Sequence, residues 1–152
     1  RSDIHLAPTD WGEAALAAPG LRSGMAAQDA AGLIARGEAA LRRATSLPDA
    51  ALRQEGRPMA LELAEIARAL VLRQAELRED ARASFCNAAL RLEVIAQNLC
   101  DFLGEKDMLA FRRQMIEASG ALAHARLVLD AARLNPAGPP APEPAAAPAE
   151  EP

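Results

Sequence analysis

The chain has 152 residues, enough for about one domain with a modest core. Its apolar share is 51%, yet aromatics make up only 3% and there is no Tyr, so burial must come from Leu, Ile, Met and closely packed Ala, which is helix-forming stock. A net charge of -4, with Lys106 the only Lys, excludes the basic footprint of a nucleic-acid binder, and no apolar run reaches the roughly 20 residues of a membrane span.

Residues 1 to 25 read as an arm. Within Pro8-Thr9-Asp10-Trp11-Gly12-Glu13, Asp10 suits a helix cap and Glu13, three residues on, suits its reciprocal partner; Pro19-Gly20 stops the helix within about two turns. Leu6, Trp11 and Leu16 give this arm an apolar side. Two uses suit it: covering the protein's own core, or docking into a partner's groove. A chain that opens on Arg1 is also compatible with a trimmed or larger parent.

A bundle domain follows over residues 26 to 135. Its first helix runs from about Ala26 to Thr45, with Ala30, Ile34, Gly37, Leu41 and Ala44 at alternating four and three spacings. Ser46-Leu47-Pro48-Asp49 ends it, a short helical turn extends to Gln54, and Gly56-Arg57-Pro58 punctuates the chain again. From Pro58 to Leu103 there is no further Gly or Pro, which predicts one helix of about 46 residues, near 70 Å long. The alternative is a bend at residues 78 to 82. There the stripe Met59, Leu63, Ile66, Leu70, Leu77 shifts phase to Ala81, Phe85, Ala88, Leu92, Ile95, Leu99, Phe102.

The last helix opens at Asp107 and runs to about Leu134, where Asn135-Pro136 stops it. Its stripe is Met108, Phe111, Met115, Ala118, Leu122, Ala125, Leu129 and Ala132. Folding the chain about the turn Gly104-Glu105-Lys106 brings this stripe into register with the preceding one. Phe102 then meets Met108, Leu99 meets Phe111 and Ile95 meets Met115. Beyond them large opposes small: Leu92 faces Ala118, Ala88 faces Leu122, Phe85 faces Ala125 and Ala81 faces Leu129, as dense packing of antiparallel helices requires. The expected fold is all-α, a bundle of three to four helices built on this hairpin.

Both helices also carry apolar residues off the seam. Among them Leu90, Val94, Ile116 and Leu127, together with Leu6, Trp11 and Leu16 of the arm, are the expected partner-binding residues. The partner is another protein or a second copy forming a homodimer. Arg and Glu, which alternate along the helices, are expected to pair three and four residues apart on solvated faces, with Glu62 and Glu65 on such a face.

Catalytic and metal chemistry finds little footing. Cys86 and Cys100, 14 residues apart, stand about 21 Å apart on one helix, too far for a mutual disulfide, and read as small hydrophobes or as sites of an intermolecular bridge. No metal-ligand spacing occurs, and no cofactor is expected. His5 lies in the arm. Ala121-Leu122-Ala123-His124-Ala125-Arg126-Leu127 resembles the exposed histidine of phosphotransfer domains, which are also four-helix bundles. That resemblance implies His124 as phosphoryl acceptor, although the family's Lys and small residue beyond the His are replaced by Leu127 and Val128.

Residues 136 to 152 are Pro, Ala and Glu with no large apolar side chain, and read as a disordered, partly polyproline-II tail. The functional expectation is a non-enzymatic interaction module in a bacterial cytoplasm, an adaptor or chaperone-like subunit of a larger assembly. A signalling bundle using His124 and a small-ligand sensory bundle are the alternatives.

Overall fold

A computed structural model describes Met25 and residues 27 to 133. The described residues form four α-helices: α1 (Ala30–Thr45), α2 (Asp49–Leu72), α3 (Arg82–Phe102) and α4 (Leu109–Ala132). Two 3-10 turns, Gln74–Glu76 and Glu79–Ala81, join α2 to α3. Each helix packs on the helices before and after it, and α4 returns to α1, closing an up-down-up-down four-helix bundle. A single apolar core runs through it, with Leu33, Ile34, Leu63, Ile66, Phe85, Leu92, Phe111 and Leu122 among its fully enclosed side chains.

The seam between α3 and α4 is the one the mirror pattern predicts. Phe85, Ala88, Leu92, Ile95 and Leu99 are buried on one side, and Met108, Phe111, Met115, Ala118, Leu122, Ala125 and Leu129 on the other. Ala81 and Phe102, at its ends, are half-buried. Two polar contacts fix the register. Arg91 donates to Glu117 at 2.6 Å and Asn98 to Gln114 at 3.4 Å. The first pair is equidistant from Gly104 and the second from Lys106, so the fold-back point is the predicted turn.

The long helix from Pro58 to Leu103 does not form. It ends at Leu72, and residues 73 to 81 turn the chain back so that α3 packs along α2. Leu77 adopts an extended conformation and is fully buried, plugging the end of the bundle. The Arg78 backbone N–H donates to the Ala132 carbonyl at 2.8 Å, and the Arg82 guanidinium to the Leu77 carbonyl at 3.1 Å. A straight rod would have given each half one partner helix; the turn gives each half two and buries both stripes.

Nor does α2 begin at Pro58. It begins at Asp49 and passes through Gly56 and Pro58. Its buried stripe is Leu52, Gly56, Met59, Leu63, Ile66 and Leu70, an unbroken three-four alternation across the proline. Pro58 itself is exposed, as is Gln54, whose carbonyl loses its helical donor to the proline ring. On the outer face water can satisfy that carbonyl, while burial on the inner face keeps the helix intact.

The first helix starts at Ala30 instead of Ala26, because the Asp29 carboxylate caps it by accepting from the Gly32 N–H at 2.9 Å. The last begins at Leu109, whose N–H donates to the Asp107 carboxylate at 3.0 Å, and ends at Ala132.

Candidate functional site

The charged residues first define what is already spoken for. An Arg–Glu ion pair bridges every adjacent pair of helices: Arg36 to Glu62 between α1 and α2, Arg68 to Glu93 between α2 and α3, Arg91 to Glu117 between α3 and α4, and Arg126 to Glu38 between α4 and α1. Glu62, expected on a solvated face, is thus an interhelical partner. Pairing across helices prevails at these positions because the bundle brings unlike side chains together from different rods. Burial pushes the Glu93 carboxyl above the ordinary carboxylate range, and Arg68 pulls it the other way.

Two surface depressions lie among the described residues. One of about 600 Å³ lies between α1 and α4, lined by Glu38, Leu41, Arg42, Thr45, Ser46 and Ser119. Three of its polar groups are engaged: Thr45 donates to the Leu41 carbonyl, Ser46 to the Arg43 carbonyl, and Glu38 accepts twice from Arg126. The other, about 390 Å³ between α1 and α2, has Ala40, Ala44, Leu47 and Met59 in its lining, with Glu55 and Glu62 among its polar groups. Neither gathers the convergent free polar groups that catalysis requires. Among the described residues no three His, Cys, Asp or Glu side chains are grouped to hold a metal ion.

His124 is exposed on α4. The nearby Arg126 turns to Glu38, at 2.7 Å, and the next turn of the helix offers Leu127 and Val128. Cys86 and Cys100 are both free thiols, half-buried against the core, and burial holds the Cys86 thiol above its usual range, in the less nucleophilic form.

What remains is apolar surface. Of the seven residues expected to bind a partner, Leu90, Val94, Ile116 and Leu127 are described, and all four are exposed, Ile116 and Leu127 at 70%. Leu6, Trp11 and Leu16 lie outside the described residues. Leu109 and Leu61 are exposed as well. Leu109 continues the α4 line at a spacing of seven from Ile116 and was legible from that spacing. Leu61 stands alone on α2, opposite its buried stripe.

The geometry is two lines on neighbouring helices. On α4, Leu109, Ile116 and Leu127 project in nearly one direction, with Arg113, Gly120 and Ala123 exposed between them. On α3, Leu90 and Val94 stand one turn apart, flanked by exposed Asn87, Gln97 and Asp101. The Arg91–Glu117 and Asn98–Gln114 contacts run between the two lines as a polar row. Cys100, Leu103 and Val128, also off the seam, are half-buried against the core instead.

Among the described residues no helix is long and apolar enough to cross a membrane. No protein-family model, curated protein or solved structure matches this chain.

Proposed function

We propose that the chain is a non-enzymatic protein-interaction module that presents the outer faces of α3 and α4 to an apolar helix of another protein. One observation carries the reading. Among the described residues six large apolar side chains are exposed, and five of them, Leu90, Val94, Leu109, Ile116 and Leu127, stand on these two helices although the core beneath is already closed. A helix laid on this face would bury side chains at the spacings that helix-in-groove recognition reads. The Arg91–Glu117 pair and the Asn98–Gln114 contact would form its polar rim. An adaptor or chaperone-like subunit of a larger assembly uses a surface of this kind.

A photo-crosslinking residue placed at position 94 or 116 in the source cells tests this. It should give an adduct with a second polypeptide, lost when Leu90 is changed to Glu. The same residue at exposed position 43 on α1 should give none. If the protein purifies alone and crosslinks only within itself, the docking reading is wrong.

A further inference from the structure

The cavity of about 390 Å³ between α1 and α2 lies where these helices stop pairing their charges. Arg36 and Glu62, equidistant from Asp49 at the start of α2, meet at 2.9 Å and close the groove. Arg43 and Glu55 are equidistant from Asp49 as well, about 10 Å nearer the connection, so they stand at one level on opposite walls. Yet among the described residues neither side chain makes a hydrogen bond or an ion pair. Between them the walls are Ala40 and Ala44 from α1 and the Pro58 ring from α2, with the buried Met59 side chain below. Side chains this short leave a gap between rods packed roughly 8 to 10 Å apart. Pro58 also adds an acceptor. Its nitrogen carries no hydrogen, so the carbonyl of exposed Gln54, next to Glu55 in the chain, has no helical donor.

We infer that this cleft binds a free α-amino acid with an apolar side chain, its carboxylate on Arg43, its ammonium on Glu55 and the Gln54 carbonyl, and its side chain on Ala40, Ala44 and Met59.

Each part of the ligand answers a feature of the cleft. A guanidinium fork matches a carboxylate with two parallel donors, and a carboxylate beside a free carbonyl suits an ammonium, which donates in several directions. A fatty acid would leave Glu55 without a cation, and an alkylamine would leave Arg43 without an anion. Only a ligand that carries both charges close together meets opposite charges at one level. Its side chain then covers alanine and methionine surface, and the volume falls within the roughly 300 to 1,000 Å³ of small-ligand sites. Because Arg43 and Glu55 are both exposed, their attraction across the gap is weak, and a zwitterion entering between them displaces little. The site stands on α1 and α2, away from the docking face of α3 and α4.

Nuclear magnetic resonance titration of the isotope-labelled full chain with leucine, methionine and phenylalanine tests this. At least one should bind with a dissociation constant on the order of 1 mM or tighter, and its amide shifts should cluster on the facing stretches of α1 and α2. The methyl ester and the N-acetyl derivative of that amino acid should each bind about tenfold more weakly, as loss of one charge-assisted contact implies. Arg43→Gln should weaken the amino acid by a similar factor but leave the methyl ester unaffected, and Glu55→Gln should do the same for the N-acetyl derivative. Both positions are exposed, so helix content and the urea midpoint should hold. No binding of any of the three at about 10 mM overturns the inference. So does an ester that binds as well as the acid, which would make the ligand a plain cation, and so do shifts centred on α3 and α4. A partner crosslinked at position 94 or 116 neither requires nor forbids this binding, so the two readings fail separately.

Discussion

Arg53 is exposed at the start of α2, yet its guanidinium closes the α3–α4 turn by donating to the carbonyls of Leu103, Glu105 and Lys106 at 3.2, 2.7 and 2.7 Å. Arg112 does the same at the α1–α2 connection, reaching the Leu47 carbonyl and the Asp49 carboxylate. Arg78 reaches the Ala131 carbonyl from the third connection. A planar fork holds several acceptors at once where an ammonium would hold one direction at a time, a use that suits a chain rich in Arg and nearly without Lys. Arg53→Ala should therefore lower stability by about 1 kcal/mol, and Arg53→Lys should recover only part of it, as read from urea unfolding. Glu93 makes a prediction of opposite character. Its folded carboxyl is raised by burial, so it keeps its proton longer in the folded state than in the unfolded one. That favours folding below the ordinary carboxylate range, and the advantage is lost as pH rises through the raised value. The urea midpoint of the parent should fall across that window relative to Glu93→Gln, which has no such proton to lose; parallel curves would show that the burial has no consequence for titration.

Among the helices, α2 shows how packing overrides punctuation. Gly56 and Pro58 read as a boundary, but Gly56 is needed where it stands, because an added Cβ would lie 2.8 Å from the Phe111 ring and 2.9 Å from a Leu103 methyl. Phe111 is fully buried and has nowhere to move. Gly56→Ala should thus cost about 1 kcal/mol despite its better helix propensity, whereas Gly120→Ala, facing open space, should gain roughly 0.5–1 kcal/mol. Thermal or urea unfolding of the two variants gives opposite signs if the helix contacts are as described. The α3–α4 seam has its own test. Phe85→Ala should lose about 3–5 kcal/mol, and adding Ala125→Phe, which restores bulk from the opposite helix, should recover a clear part of that loss. Independent, additive losses would contradict the facing of these two positions.

At the scale of the molecule, four helices bury one continuous core within a single chain, so folding should not require a second copy. The unfolding midpoint is expected to stay constant as protein concentration is raised; a midpoint that climbs would mark an obligate dimer. The class of fold, the seam and its turn, and four exposed apolar residues of the candidate surface were legible in the residues, because each depends on helical periodicity, which is local. Leu92 and Ala118 are both buried, as their equal distance from one turn predicts. The start of α2, the break at residues 73 to 81 and the pairing of Glu62, Glu93 and Glu117 with Arg from other helices were decided only by the tertiary structure. Those features depend on which face meets which neighbour: a proline is harmless when it points to water, a charged run becomes a turn when Leu77 can plug the bundle's end, and an Arg chooses the carboxylate that packing brings to it. The same closure divided the off-seam residues, drawing Leu103 and Val128 toward the core and leaving Ile116 and Leu127 outside, a division that periodicity places on a helix face but only the packed bundle resolves.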